Sequence, residues 1–131
     1  MAITIVDKST RPNNSTSWYN RDGNEWEEHS AFNAISKSID SNNPATFVER
    51  THPDDLNIVC TYNWPDLDTF NAAVGDYDAS SNSAWKSYAD ARGTYDASNN
   101  ITTIRYIYDA SNNLTSTQKR VRKVYWEDYS E

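Results

Sequence analysis

A single cysteine, Cys60, is all the thiol that this 131-residue chain contains, so it forms no internal disulfide. Two histidines are present, His29 and His52. Neither stands at metal-ligand spacing from the other or from Cys60, which leaves no basis for a zinc site, and no cofactor is expected. Glycine is as scarce: Gly23, Gly75 and Gly93 lie too far apart to build a phosphate-cradling loop. No stretch approaches the ~20 apolar residues of a membrane-spanning helix. The opening MAITIVDKST lacks the charged-then-apolar layout of a signal peptide. Cations are few as well. Lys and Arg number 12 against 19 Asp and Glu, a net charge of −7, which argues against a general binder of nucleic acid or anionic membranes. The expected location is the cytoplasm, or a host's cytoplasm were the chain viral.

What the chain does have is aromatic bulk. Hydrophobic residues make up only 37%, but aromatics reach 13%, with five tryptophans and nine tyrosines to supply core area. Length and content fit one domain, residues 1–131, around one core.

Residues 45–74 organise the rest. Leu56, Ile58, Cys60, Tyr62 and Trp64 alternate with Asn57, Val59, Thr61 and Asn63, the period of a half-buried strand. That phase puts Cys60 on the apolar face, as a buried and inert thiol. Residues 46–51 form a second strand, and His52-Pro53-Asp54-Asp55 is the expected turn of an antiparallel hairpin. Pro65 cannot donate to a sheet ladder but suits the first turn of a helix. Asp66 and Asp68 then meet that helix's positive end, and Leu67, Phe70 and Val74 share one face until Gly75 breaks it.

Residues 2–7 read as an opening strand, and 9–20 as a polar loop. The loop's Trp18 and Tyr19 are either a lid over a pocket or, the favoured reading, a plug for the core's edge. Residues 24–40 read as a helix, with Asn24 and Glu27 at capping-box spacing and Phe32, Ile35 and Ile39 inward. A further helix is expected over 80–92, capped by Asp78 or Ser80, carrying Trp85 and Tyr88 inward and stopped by Gly93. Residues 101–108 (ITTIRYIY) are a strand by β-branched and aromatic content. Residues 114–126 read as a final strand, bent. The tetrapeptide Tyr-Asp-Ala-Ser recurs at 77–80, 95–98 and 108–111, and its last two copies extend to the same YDASNN. In each copy Tyr can anchor in the core while Asp and Ser bond to nearby backbone in a turn or cap.

The element order predicts an α+β fold: a ferredoxin-like βαββαβ antiparallel sheet with helices on one face, plus an extra helix and a C-terminal strand. The junction Cys60-Thr61-Tyr62-Asn63-Trp64, then Asp66-Leu67-Asp68-Thr69-Phe70, resembles the dimeric α+β barrel superfamily, which includes the antibiotic-biosynthesis monooxygenases. There a strand commonly ends in Trp before a helix that opens with a small polar residue, an acid and an aromatic. The resemblance covers residues 2–108. It implies a homodimer whose two sheets pack together, with a pocket between sheet and helices in each subunit. Some members oxidise aromatic substrates or haem without a bound metal or flavin. The Asn, Trp and His pattern of the haem-degrading members is not found here.

No residue set stands out as catalytic. His29 reads as a solvated helix residue and His52 as a turn residue, and the acidic pairs fit caps and turns. An aromatic group, Tyr62, Trp64, Trp85 and Tyr106, is the candidate pocket for a small-molecule ligand, with plain core packing as its alternative. Lys119, Arg120, Arg122 and Lys123 hold a third of the chain's 12 cations. They read either as charges guarding an edge strand or as a contact for an acidic protein surface, nucleic acid being the poorer fit. The function expected is therefore a non-catalytic, oligomeric α+β protein that works by binding or assembly. The alternative is a cofactor-independent monooxygenase-like enzyme on an aromatic or hydrophobic substrate. A homodimer is expected because residues 101–108 carry large groups on both faces.

Overall fold

A computed structural model describes residues 2–19, 46–122 and 124–130. The helix expected over 24–40 lies outside the described residues, as do His29 and Lys123. The described chain is α+β: strands β1 (Ile3–Thr10), β2 (Thr46–Asp54) and β3 (Asn57–Trp64), a short helix α1 (Leu67–Phe70) continued by a π-helical turn (Asn71–Gly75), helix α2 (Ser83–Ser98), and strands β4 (Thr102–Tyr108), β5 (Leu114–Arg122) and β6 (Tyr125–Asp128). The six strands form one antiparallel sheet in the order β2-β3-β1-β4-β5-β6.

β1 runs three residues past its expected end. It is central, paired to β3 from Ile3 to Thr10 and to β4 from Thr4 to Thr10. Its polar half stays in the sheet because its inward side chains find partners across the strands. Asp7 meets Arg105, and Ser9 hydrogen-bonds Thr103 at 2.8 Å.

The β2–β3 hairpin forms, but its turn is Asp55-Leu56, not His52 to Asp55. The Asp54 carboxylate accepts from Leu56 N at 2.8 Å and from Asn57 Nδ2 at 2.9 Å, which closes the turn two residues later. Pro53 is accommodated at a register shift between Thr51 and Asp54, the irregular setting in which a strand tolerates proline. Leu56 consequently leaves the apolar set and is 38% exposed.

Asp66, expected only to bring charge to the positive end of this helix, is its cap, accepting from Thr69 N at 2.7 Å; Pro65 therefore stands before the helix and not in its first turn. Gly75 closes the following turn. A Cβ there would come within 2.5 Å of the buried Phe70 ring, so the close approach requires glycine. The second helix departs from expectation at both ends. Its cap is Asn82, which accepts from Trp85 N at 3.0 Å, and Gly93 lies buried within it. A mid-helix glycine costs only about 1 kcal/mol, and the helix continues to Ser98. The last segment is a hairpin, β5–β6, rather than one bent strand.

The helices pack on one face of the sheet. Ile5, Trp64, Phe70, Ala73 and Ile107 form one buried cluster, with Ile3, Tyr62, Val74 and Trp85 against it. Trp18, Ile58, Cys60 and Ile101 form a second, with Tyr62 and Tyr95 against it. Trp18 is thus a plug at the core's edge, with the Arg11 guanidinium 5.2 Å from its ring centre. On the opposite sheet face Val6, Val59, Ile104, Tyr106 and Tyr108 are half-buried, and none is fully covered by described residues.

Candidate functional site

The strand register lays the inner face out in rungs. Ile107, Ile5 and Tyr62 lie side by side, then Arg105, Asp7 and Cys60, then Thr103, Ser9 and Ile58. The face is apolar towards β3 and charged towards β5. α1, the π-helical turn and α2 stand over it, and a cavity of about 140 Å³ remains between the two layers. Trp64, Phe70, Val74 and Trp85 line its apolar part, and Asp7, Arg92, Arg105 and Arg120 its charged part.

Arg105 is the centre of the charged part. Asp7 accepts from Nε at 2.8 Å and from Nη2 at 3.0 Å, a two-point pair that fixes the guanidinium plane. The Trp126 ring centre lies 3.8 Å from the guanidinium carbon, and the Phe70 ring centre 4.9 Å away. The Arg105 side chain is 8% exposed. Its Nη1 is buried and has no hydrogen-bond partner among the described residues. Leaving such a donor unsatisfied costs about 1–3 kcal/mol.

A second ionic group adjoins the first. Asp96 on α2 is buried and pairs with Arg120 of β5 and, at 3.6 Å, with Arg92 Nε one helical turn earlier. Burial draws the Arg92 guanidinium down from its ordinary value, and the Asp96 carboxylate opposes that shift. These pairs tie α2 to β5, and each carboxylate is engaged by at least one guanidinium.

Burial also pushes the Tyr62 phenol well above its ordinary value, with Cys60 and Asp7 adding to the shift. Tyr62 is therefore a neutral phenol at physiological pH. Cys60 beside it is a buried thiol that forms no disulfide. The Asp7 carboxylate is taken up by its two hydrogen bonds from Arg105.

Of the aromatic group expected to line a pocket, Tyr62, Trp64 and Trp85 lie on this cavity. Tyr106 does not, because residues of even number in β4 face the other side of the sheet from Arg105 and Ile107. The basic run divides. Arg120 turns inward to Asp96, while Lys119 faces outward with its amine 5.4 Å from the Tyr129 ring centre. Arg122 contributes its backbone to β5. Of the cavity's charged residues only Arg120 was singled out by sequence pattern, as part of the basic run; Asp7, Arg92 and Arg105 were not. Their one local signal is Arg105 itself, a lone charge in phase with Ile101 and Ile107 in an otherwise apolar strand. Among the described residues no group of three or more His, Cys, Asp or Glu could hold a metal ion. No described helix is long and apolar enough to cross a membrane.

No family model, curated protein or solved structure matches this chain.

Proposed function

We propose that this is a non-catalytic, homodimeric α+β protein that binds a small, largely apolar molecule between its sheet and α2. The observation that carries the reading is the cavity. Its aromatic wall offers contact area, and its ionisable groups are engaged with one another or, like Tyr62, held neutral. Its volume of about 140 Å³ is comparable to a cavity that accepts benzene. That is below the ~300 Å³ at which sites for drug-sized ligands begin, so it favours a compact ligand over a larger hydrophobic substrate.

The same proposal takes β1–β4, in the order β2-β3-β1-β4 with helices on one face, as a ferredoxin-like unit extended by β5 and β6. It assigns the outer sheet face, with Val6, Val59, Ile104, Tyr106 and Tyr108, to a second copy of the chain. The large side chains Ile104, Tyr106 and Tyr108, half-buried on the outer face of β4 while its inner face is buried, support that assignment.

Two measurements test the reading. Benzamide, a neutral compact aromatic, should give saturable shifts of tryptophan indole signals on titration; an absence of saturable binding by any small aromatic would sink the binding role. Light scattering should report about twice the chain mass of 15.0 kDa, and Ile104→Lys should return the monomer. A wild-type monomer at every concentration would remove the dimer.

A further inference from the structure

We infer that the ligand is a small organic carboxylate, with its anionic end on Arg105 and its apolar body against Trp64, Phe70 and Trp85. The inference rests on the binding role proposed above and adds the chemical class of the ligand.

Arg105 presents a donor prepared in advance. Asp7 holds the Nε and Nη2 edge of the guanidinium, and Trp126 and Phe70 pack against it. The remaining nitrogen, Nη1, is buried without a hydrogen-bond partner among the described residues. A fixed, desolvated donor of this kind gives its full strength only to an ionised acceptor. The neighbouring rung supplies a second contact. Ser9 and Thr103 both line the cavity and share one hydrogen bond of 2.8 Å. Whichever hydroxyl donates there, the other keeps a proton that can be directed to a ligand oxygen. One guanidinium nitrogen and one hydroxyl, on neighbouring rungs, are in number the donors that the two oxygens of a carboxylate require.

The sign of the charge follows from the wall. Arg92, Arg105 and Arg120 line the cavity with Asp7 as the one lining carboxylate among the described residues, and Asp96 engages Arg92 and Arg120. An organic cation would meet guanidiniums at close range. Inorganic phosphate would bring more oxygens than the open donors satisfy and would leave the aromatic wall without contact. A carboxylate on a compact aromatic or aliphatic body uses both parts of the cavity.

Benzoate and benzamide match in shape and differ in charge at one terminal group, so they separate the two claims. Titrations of the full chain at constant ionic strength should follow the tryptophan indole signals and Arg105 Nε–H in nitrogen–proton correlation spectra. Benzoate is expected to bind about tenfold more tightly than benzamide, equivalent to about 1.4 kcal/mol, and to shift the Arg105 signal. Arg105→Lys, which keeps a cation beside Asp7 but lacks Nη1, should erase the preference. Equal affinity for the two compounds would overturn the carboxylate assignment and leave the binding role standing. Failure of both to bind would overturn the role itself. If Arg105→Lys does not fold, the wild-type preference and the Arg105 shift decide the matter; a benzoate preference with no Arg105 shift would overturn the assignment.

Discussion

The hexapeptide Tyr-Asp-Ala-Ser-Asn-Asn occurs at 95–100 and again at 108–113, and the two copies fold differently. In the first, Tyr95 to Ser98 complete α2. Asn99 N donates to Tyr95 O at 3.1 Å, Asn100 takes the left-handed conformation at φ 56°, and Ile101 N reaches back to Asp96 O at 2.9 Å. In the second, Tyr108 ends β4 and the rest turns into β5. The Asp109 carboxylate accepts from Ser111 N at 2.9 Å and Asn113 N at 3.0 Å, and here Asn112 is left-handed, at φ 64°. The left-handed position is the sixth residue of one copy and the fifth of the other. Asp96 is buried between Arg120 and Arg92, whereas Asp109 is a half-buried turn former. The hexapeptide supplies residues fit for either ending. What precedes it, helix or strand, decides which one forms.

The comparison is sharpest at the aspartates. Asp96→Ala would leave the half-buried Arg120 and Arg92 facing each other without their shared, buried carboxylate, at a cost of about 3 kcal/mol. Asp109→Ala should cost clearly less, since its donors are exposed and water can replace the acceptor. Denaturant unfolding of both variants checks the order, and equal losses would contradict the assignment of Asp96 to the buried ionic group.

A smaller effect tests the shifted left-handed position. Ala at Asn100 or at Asn112 should each cost up to about 1 kcal/mol, because Ala lacks the short polar side chain whose local hydrogen bonding lets Asn tolerate the left-handed conformation. Gly at the same two positions should be tolerated. Gly at Asn99, whose φ of −108° is ordinary, gains no such relief, and neither does Gly at Asn113. A thermal-unfolding series that ranked Asn99 with Asn100 would erase the one-residue offset.

The smallest expected effect is in pH. The Asp109 carboxyl is held below its ordinary value near 3.8 by the backbone N–H groups of Asn113 and Ser111. Its contribution to stability is therefore complete above that value and is lost as pH falls through the lower folded-state value. Asp109→Asn should flatten this part of the acid limb, visible in unfolding curves recorded between neutral and strongly acid pH. An unchanged acid limb would mean the turn does not depend on the charge.

Much of the sheet was legible from local pattern. Alternation in β3 placed Ile58, Cys60 and Trp64 on one buried face, because a period of two fixes a side once one member is placed. Asp66, Gly75 and the loop tryptophan Trp18 were legible for similar local reasons. Half of the cavity was not. Tyr106 looked like a pocket residue because β4 is apolar on both faces, and alternation alone does not say which face the helices cover. Asp7 and Arg105 are 98 residues apart in sequence, so nothing local links them.

The sequence by itself determined an α+β chain, the β2–β3 hairpin, the acidic start of α1 and the glycine that ends the turn after it, and the capacity of each YDASNN copy to end an element. Those features depend on side chains within a few residues of one another. The tertiary structure alone decided that β1 runs to Thr10, that Gly93 stays within α2, that Lys119 and Arg120 part company, and that Arg105 is clamped by Asp7 beside a cavity. The strand end depends on partners across β3 and β4, the glycine on its burial, and the two arginines on carboxylates from distant elements.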